Sequence, residues 1–130
     1  MTIERRELIG GAVALAAVGL PSPALAKEAP MHGLIGKMIA VPGKRDELAA
    51  ILLDGLQDMP GCLSYVVAID PKDPNALWIT EAWTDAAAHA ASLKLPSVRA
   101  AITKGRPLIA GFGDSFTTVP IGGHGLVPTR

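Results

Sequence analysis

The order of strand and helix patterns constrains this chain more than any other feature of its sequence. Strand patterns occupy residues 34–41, 62–69, 76–83 and 112–120, and helix patterns occupy residues 44–56 and 85–93. The resulting order, β-α-β-β-α-β, is that of the split βαβ unit in ferredoxin-like folds. We therefore predict an α+β domain whose helices lie on one face of a four-stranded antiparallel sheet.

The first helix has the clearest amphipathic pattern. Leu48, Ile51, Leu52 and Leu56 recur at the spacing that places apolar side chains on one helix face. Gly55 within this stripe weakens the helix by about 1 kcal/mol relative to alanine. Its small size also allows a neighbouring element to pack closely.

Two later helices are predicted from residues that favour the start of a helix. Thr84 is the predicted N-cap of an alanine-rich helix that begins at Asp85 and contains His89. Pro96 opens a further short helix, because proline suits the first helical turn. The predicted inner face of that helix consists of Val98, Ala101 and Ile102.

The first and third strands are apolar on both faces. On the first strand, Leu34 and Met38 lie on one face and Ile35, Ile39 and Val41 on the other. On the third strand, Leu77, Ile79 and Trp83 lie on one face and Trp78 and Ala82 on the other. A sheet with one face in water would alternate apolar and polar residues, and the helices cover only one face. We therefore predict a homodimer whose two sheets face each other and enclose a pocket, a dimeric α+β barrel.

The first 26 residues have the features of an export signal. Arg5 and Arg6 precede an apolar run of thirteen residues at 8–20, and a small-x-small cleavage motif follows at 24–26. The arginine pair predicts a twin-arginine signal, although Glu4 and Glu7 leave the general secretory route open. We predict an exported, periplasmic mature chain of residues 27–130 without a stable membrane span, since the apolar run rises only about 20 Å as a helix.

Composition excludes several classes of protein. The chain has 130 residues, a formal net charge of zero and 49% hydrophobic residues, which describe one small globular domain. No basic run is present, so nucleic acid is not an expected partner. Cys62 is the only cysteine, which rules out an internal disulfide and the cysteine-histidine pattern of a structural zinc site. No metal site is predicted.

Four segments in the same order and spacing resemble the antibiotic biosynthesis monooxygenase family. The segments are 41–48 (VPGKRDEL), 60–65 (PGCLSY), Asp70 with the turn 73–75 (DPN), and 81–85 (EAWTD). The resemblance covers about residues 32–121. It implies the dimeric α+β barrel, and oxidation of quinols or anthrones by molecular oxygen without metal or flavin. The family also includes haem-degrading enzymes, isomerases and domains without a known role, so the resemblance indicates the fold more specifically than the reaction.

The sequence departs from the family pattern at one position. Family members commonly carry a histidine nine or ten positions after the strand tryptophan, where this chain has Ser92 and Leu93. His89 lies only six positions after Trp83, and on a helix with about 3.6 residues per turn it is expected to point in a different direction. This difference argues against the haem-degrading mechanism above all.

Glu81, Trp83 and His89 are the first candidates for a functional site. Trp83 is a candidate to stack on a flat aromatic substrate, or is a core or dimer-interface residue. Glu81 shares its strand face and is a candidate catalytic carboxylate, or is paired structurally with a histidine, a lysine or Arg106. His89 is a candidate base, since imidazole exchanges protons near neutral pH, or faces solvent on its helix.

Four further residues complete the candidate list. His124 lies in a glycine-rich tail that either folds over a pocket mouth, where the histidine would be a catalytic base, or is mobile. His32, Tyr65 and Arg106 are candidates for substrate binding, with Tyr65 alternatively part of the core. A positioned base that deprotonates a quinol or anthrone yields an electron-rich anion, which can pass an electron to oxygen without a metal.

Two classes of function follow. The first is a cofactor-independent monooxygenase that acts on a small aromatic quinol or anthrone-like substrate. The second is a non-catalytic ligand-binding or interaction dimer of the same fold, suggested by the missing helix histidine. Haem binding and degradation is a third, weaker alternative. The sequence leaves open whether the domain is an enzyme.

Overall fold

The computed structural model describes residues 29–126 and shows four strands and three α-helices in this part of the chain. In chain order they are β1 (His32–Ala40), α1 (Arg45–Gly55), β2 (Cys62–Ile69), β3 (Ala76–Trp83), α2 (Ala86–Ser92), α3 (Pro96–Gly105) and β4 (Ile109–Thr118), with a 3₁₀ turn (Arg106–Leu108) between α3 and β4. The predicted export signal, residues 1–26, lies outside the described residues.

The sheet is antiparallel throughout and has the strand order β2-β3-β1-β4. Strands β1 and β3, which are separated by α1 and β2 in the sequence, are neighbours in the centre of the sheet. This is the arrangement that a ferredoxin-like β-α-β-β-α-β chain adopts, so the predicted fold class is confirmed.

The main core forms where α1 packs on the helix-facing side of the sheet. Leu48 and Leu52 of α1 join Leu77 and Ile79 of β3 and Ala40 of β1 in one buried cluster. Leu48 and Leu77 are fully buried, which is expected to contribute about 1.5–3 kcal/mol for each side chain. The odd-numbered residues of β3 therefore face the helices.

Helices α1 and α3 approach each other closely at Gly55. A Cβ atom added at Gly55 would lie 2.7 Å from the Cβ of Ala101, a separation that side chains do not tolerate. The glycine that weakens α1 as a helix thus allows α3 to pack against it. The inner face of α3 was predicted correctly for Val98 and Ala101, which are buried, whereas Ile102 is 39% exposed.

The start of α2 lies one residue later than predicted. Asp85, not Thr84, is the N-cap: its backbone is extended and its carboxylate accepts a hydrogen bond from the amide of Ala88 at 2.7 Å. The Thr84 amide instead donates to the carbonyl of Gly61 at 2.8 Å, which continues the pairing beside β3. Thr84 therefore lies in the bend between β3 and the Asp85 cap.

Strand β4 begins three residues earlier and ends two residues earlier than predicted. Its pairing with β1 has irregularities between Gly36 and Met38 and between Ile39 and Ala40. Such bulges disturb the alternation of side chains on which the prediction depends. Strand β1 likewise begins at His32, which pairs with Trp83 of β3.

The sheet face away from the helices carries a mixture of apolar and charged groups. Trp78 donates a hydrogen bond from Nε1 to Asp70 at 3.1 Å, and Lys37 lies 3.5 Å from the same carboxylate. Val66 and Phe116 are 51% and 55% exposed on this face. The predicted second copy that would cover it stays a prediction. Among residues 29–126, no helix is long and apolar enough to cross a membrane.

Candidate functional site

A cavity of about 530 Å³ lies between the helices and the sheet of a single chain. It is within the range of about 300–1,000 Å³ that is typical of small-molecule sites. Its walls are mostly apolar, and its polar lining consists of Tyr65, Glu81, Trp83, His89, Ser92 and Arg106. This cavity lies on the helix side of the sheet, because Glu81 and Trp83 are on the same face of β3 as Leu77 and Ile79, which face the helices. The predicted pocket between the facing sheets of two copies stays a prediction.

Glu81 is held in place by the tryptophan two residues later on β3. The Nε1 atom of Trp83 donates a hydrogen bond to Oε1 of Glu81 at 2.9 Å. Trp83 is only 1% exposed and packs with Met59 and Val98. Because its indole is fixed by packing, the carboxylate that it binds has a defined position at the cavity wall.

His89 contacts the same carboxylate from helix α2. Its Nε2 atom lies 3.9 Å from Oε1 of Glu81, and its ring centroid lies 5.2 Å from that of Trp83. The ring of His32 stacks on His89 with centroids 5.5 Å apart. These four residues, Glu81, Trp83, His89 and His32, are called the Glu81 cluster below.

The expectation that His89 points away from the family histidine position is wrong. His89 and Ser92 are three residues apart on α2, and residues at this spacing lie on the same helix face. Both line the cavity. The start of α2 is fixed by the Asp85 cap and by Gly61, where an added Cβ would lie 2.5 Å from that of Ala88.

Ser92 and Leu93 line the cavity at the positions where family members carry a histidine. The Ser92 hydroxyl is buried and donates a hydrogen bond to the carbonyl of His89 at 2.6 Å. The serine is therefore engaged with its own helix. The imidazole of this site comes from one turn earlier, at His89.

Tyr65 lies directly opposite Glu81, on the neighbouring strand β2. Burial raises the pKa of its phenol, and the negative charges of Glu81 and Cys62 act in the same direction. Burial is also the main cause that raises the pKa of the Cys62 thiol. Tyr65 therefore stays protonated at neutral pH and can donate a hydrogen bond within the cavity.

The remaining two candidates lie apart from the Glu81 cluster. Arg106 is exposed in the 3₁₀ turn and lines the cavity near the start of β4. It is not the partner of Glu81. His124 is exposed in the tail after β4 and is not among the residues that line the cavity. Within residues 29–126, no group of three or more His, Cys, Asp or Glu side chains is placed to hold a metal ion.

Several apolar residues that line the cavity were not predicted from the sequence, including Met38, Met59 and Phe112. Met38 could have been found, since it shares its face of β1 with Leu34, which pairs with Glu81. Met59 lies in the loop before β2, and Phe112 lies beyond the irregular pairing of β4. No periodic pattern in the sequence indicates that Met59 or Phe112 lines the cavity.

A sequence profile of the family described as antibiotic biosynthesis monooxygenase matches residues 31–104. No protein with curated annotation matches the chain. Among solved structures, a proposed antibiotic biosynthesis monooxygenase from Chloroflexus aurantiacus J-10-fl is 63% identical, with a TM-score of 0.73 over 75% of this chain and 99% of that one.

Two more distant structures share the fold. A proposed antibiotic biosynthesis monooxygenase from Caulobacter crescentus CB15 is 19% identical, with a TM-score of 0.66 over 73% of this chain and 93% of that one. A protein from Pseudomonas aeruginosa is also 19% identical, with a TM-score of 0.64 over 75% and 100% of the two chains.

Proposed function

This chain belongs to the antibiotic biosynthesis monooxygenase family, and on that premise we propose that it is a cofactor-independent monooxygenase acting on a small aromatic quinol or anthrone-like substrate. The observation that carries the proposal is the Glu81 carboxylate, fixed by Trp83 and approached by His89 at the wall of an apolar cavity. A positioned base beside a flat apolar space is what this reaction needs.

The first step of the proposed reaction is a proton transfer. Oε2 of Glu81, the oxygen that the Trp83 hydrogen bond leaves free, accepts the proton of the substrate hydroxyl. The electron pair of the broken O–H bond remains on the substrate as an aromatic anion. When protonated, His89 places a positive charge near the same carboxylate, at 3.9 Å from Oε1.

Molecular oxygen is the oxidant in the second step. The aromatic anion transfers one electron to oxygen, and the two resulting radicals combine into a carbon-bound peroxide, which takes up a proton. For an anthrone-like methylene, loss of water from this hydroperoxide leaves a carbonyl. One oxygen atom is thus retained in the product, and the other leaves as water with the two methylene hydrogens.

The cavity walls support this chemistry by excluding water. Leu48, Leu52, Met59 and Val98 line the cavity and are buried. A largely apolar enclosure restricts the orientation of a flat substrate and protects a reactive anion from bulk water. The Tyr65 phenol provides a hydrogen-bond donor opposite Glu81, where negative charge develops on the substrate oxygen.

Oxygen uptake by metal-free protein of residues 27–130, measured on a panel of quinols and anthrones, tests the proposal. We expect turnover of at least one substrate and a loss of about 10²–10⁴-fold in the Glu81→Gln variant, the usual contribution of a general base. Arg99→Ala is the control, since Arg99 is exposed and does not line the cavity. Absence of turnover, or turnover unchanged by Glu81→Gln and Trp83→Ala, would contradict the proposal.

A non-catalytic ligand-binding dimer is the second candidate, favoured by Ser92 and Leu93 at the histidine position of the family. Native mass spectrometry of freshly purified protein distinguishes it. A bound small molecule that is recovered unchanged after exposure to oxygen supports the binding function. A cavity that is empty in every preparation counts against it.

We also propose that the domain functions as an exported homodimer. The apolar residues on the open sheet face, among them Val66 and Phe116, support pairing with a second copy. The arginine pair, apolar run and small-x-small motif of residues 1–26 support export to the periplasm. Fractionation of cells that express the full chain tests this: the Arg5→Lys, Arg6→Lys double variant should remain in the cytoplasm if the signal is of the twin-arginine type.

A further inference from the structure

The cavity opens to solvent at one end, between α2, α3 and β4. Leu93, Ile102 and Phe112 line the cavity, yet they are 51%, 39% and 71% exposed. Arg106 also lines the cavity and is exposed. These four side chains are called the mouth below. Exposed apolar groups that continue into a cavity mark the route by which an apolar ligand enters.

Among the residues that the structure describes, Arg106 is the only lysine or arginine whose side chain lines the cavity. Among residues 29–126 it forms no ion pair within 4.0 Å and no side-chain hydrogen bond. No partner in this part of the chain therefore competes with a ligand for its guanidinium. A guanidinium presents donors in a planar fork that matches a carboxylate, which makes it more selective than a point charge.

The register of the sheet gives the separation along the strands between Glu81 and Phe112, the mouth residue on β4. Arg106 precedes β4, which starts at Ile109 opposite Ala40. On β1, Leu34 pairs with Glu81 of β3, and Met38 pairs with Phe112 of β4. These two positions on β1 are four residues apart, which corresponds to about 13 Å along a strand. An elongated ligand can thus reach both ends at once, whereas a single small ring cannot.

We propose that the substrate carries a carboxylate at the end remote from its reacting hydroxyl, and that Arg106 binds this carboxylate at the mouth. The inference rests on the proposed function and names its substrate class: an aromatic hydroxy acid of at least two rings. The apolar body lies among the cavity walls, the hydroxyl contacts Glu81, and the carboxylate remains hydrated beside Arg106.

Charge separation fixes the orientation of such a substrate. A carboxylate placed at the inner end would meet the like charge of Glu81 inside an apolar cavity. At the mouth the carboxylate is farther from Glu81 and remains in contact with water, so the repulsion between the two charges is weaker. Pairing with an exposed arginine also requires little desolvation, which is the main cost of a buried ion pair. Arg106 therefore determines both specificity and direction of binding.

The test uses a matched pair of probes, 6-hydroxy-2-naphthoic acid and its methyl ester, which differ in charge at one end. Dissociation constants are measured by calorimetry without oxygen, so that no turnover interferes. We expect the wild type to bind the acid about tenfold more tightly than the ester. Arg106→Ala should bring the two constants together, Arg106→Lys should keep part of the preference, and Arg99→Ala should leave it unchanged.

Equal affinities in the wild type, a preference that survives in Arg106→Ala, or binding of neither probe would overturn the proposal. Because Arg106 is exposed, its replacement is not expected to affect folding, and a thermal melt of each variant verifies this. The two proposals fail separately. Preference for the acid without oxygen uptake on any substrate overturns the oxygenase and retains the Arg106 site, whereas oxygen uptake without the preference overturns the Arg106 site alone.

Discussion

The Glu81 carboxylate is held by nitrogen groups from two different elements. Trp83 contributes an indole N–H from the same strand, and His89 contributes an imidazole from α2. An indole N–H cannot be deprotonated at physiological pH, so it fixes the carboxylate without competing for its proton. The imidazole of His89 is stacked on a second one, that of His32. The Glu81 cluster thus combines a hydrogen bond from a buried indole with two stacked imidazole rings.

Replacing Trp83 by phenylalanine separates the hydrogen bond from the packing. A ring remains in the buried site, but Glu81 loses its N–H donor, and a hydrogen bond to a charged group is worth about 1.5–3 kcal/mol. We expect the melting temperature to fall by several degrees and kcat for oxygen uptake to fall about tenfold.

Trp78→Phe is the matched control for this prediction. Trp78 donates an equivalent hydrogen bond to Asp70 on the opposite face of the sheet. Its replacement should lower the melting temperature and leave kcat unchanged. Equal losses of kcat in the two variants would show that Trp83 affects turnover only through general stability.

Asp70 predicts how stability responds to acid. The backbone N–H of Lys72 is the largest cause that lowers its pKa below 3.8, followed by the Trp78 indole, and Lys37 adds to the effect. As pH falls, the unfolded carboxyl takes up its proton first, so the stabilisation is complete above about pH 5 and is lost as pH falls through the folded pKa. Chemical denaturation of wild type and Asp70→Asn should therefore differ at pH 6 and converge toward pH 2; a constant difference would contradict this.

At the scale of elements, the contact between α1 and α3 depends on the absence of a side chain at Gly55. An exposed glycine-to-alanine change within a helix normally stabilises by about 1 kcal/mol. In Gly55→Ala the new methyl group would overlap the Cβ of Ala101, so we expect destabilisation of about 1–3 kcal/mol by overpacking.

A double variant distinguishes overpacking from other effects of Gly55→Ala. Adding Ala101→Gly removes the overlapping Cβ, so urea denaturation should show recovery of part of the lost free energy of unfolding. Losses that simply add in the double variant would mean that the two positions are independent. The Ala50→Gly variant, at an exposed position of α1, provides the helix-propensity reference.

The bounds of a helix or strand could be predicted from the sequence where they are set by the residues of that helix or strand itself. Strands β2 and β3 begin and end where predicted, because each has an alternating pattern of residues bounded by clear turn residues. The same alternation along β3 placed Glu81 on the face of Trp83 and on the face opposite to Trp78. The direction of His89 was predicted wrongly, although its spacing of three residues from Ser92 places the two side chains on the same helix face. The start of β4 was not predictable, because its pairing with β1 contains bulges. A bulge leaves no periodic pattern in the sequence.

At the scale of the whole molecule, the two faces of the sheet have different roles. One face forms the core and the cavity with the helices, and the Glu81 cluster lies on this face. The other face has exposed apolar side chains and is proposed to pair with a second copy. Dimerisation would then cover the apolar residues of the sheet that lie behind the cavity.

Sedimentation velocity tests the dimer. We expect the protein of residues 27–130 to sediment as a dimer at micromolar concentration, and the Val66→Lys, Phe116→Lys double variant to sediment as a monomer, since it places charges in an apolar contact. Leu53→Lys is the control, because Leu53 is 53% exposed on α1, which lies on the helix side of the sheet and not on the proposed interface. A monomeric wild type, or a double variant that remains dimeric, would exclude this interface.

Incorporation of oxygen-18 tests the proposed reaction most directly. Metal-free wild-type protein is incubated with a substrate that it turns over under ¹⁸O₂, and the product is analysed by mass spectrometry. We expect one labelled oxygen atom in each product molecule, formed at a rate that falls at least about 10²-fold in Glu81→Gln. An unlabelled product, whose new oxygen atom comes from water, or labelling at the same rate by Glu81→Gln, would contradict a monooxygenase that uses Glu81 as its base.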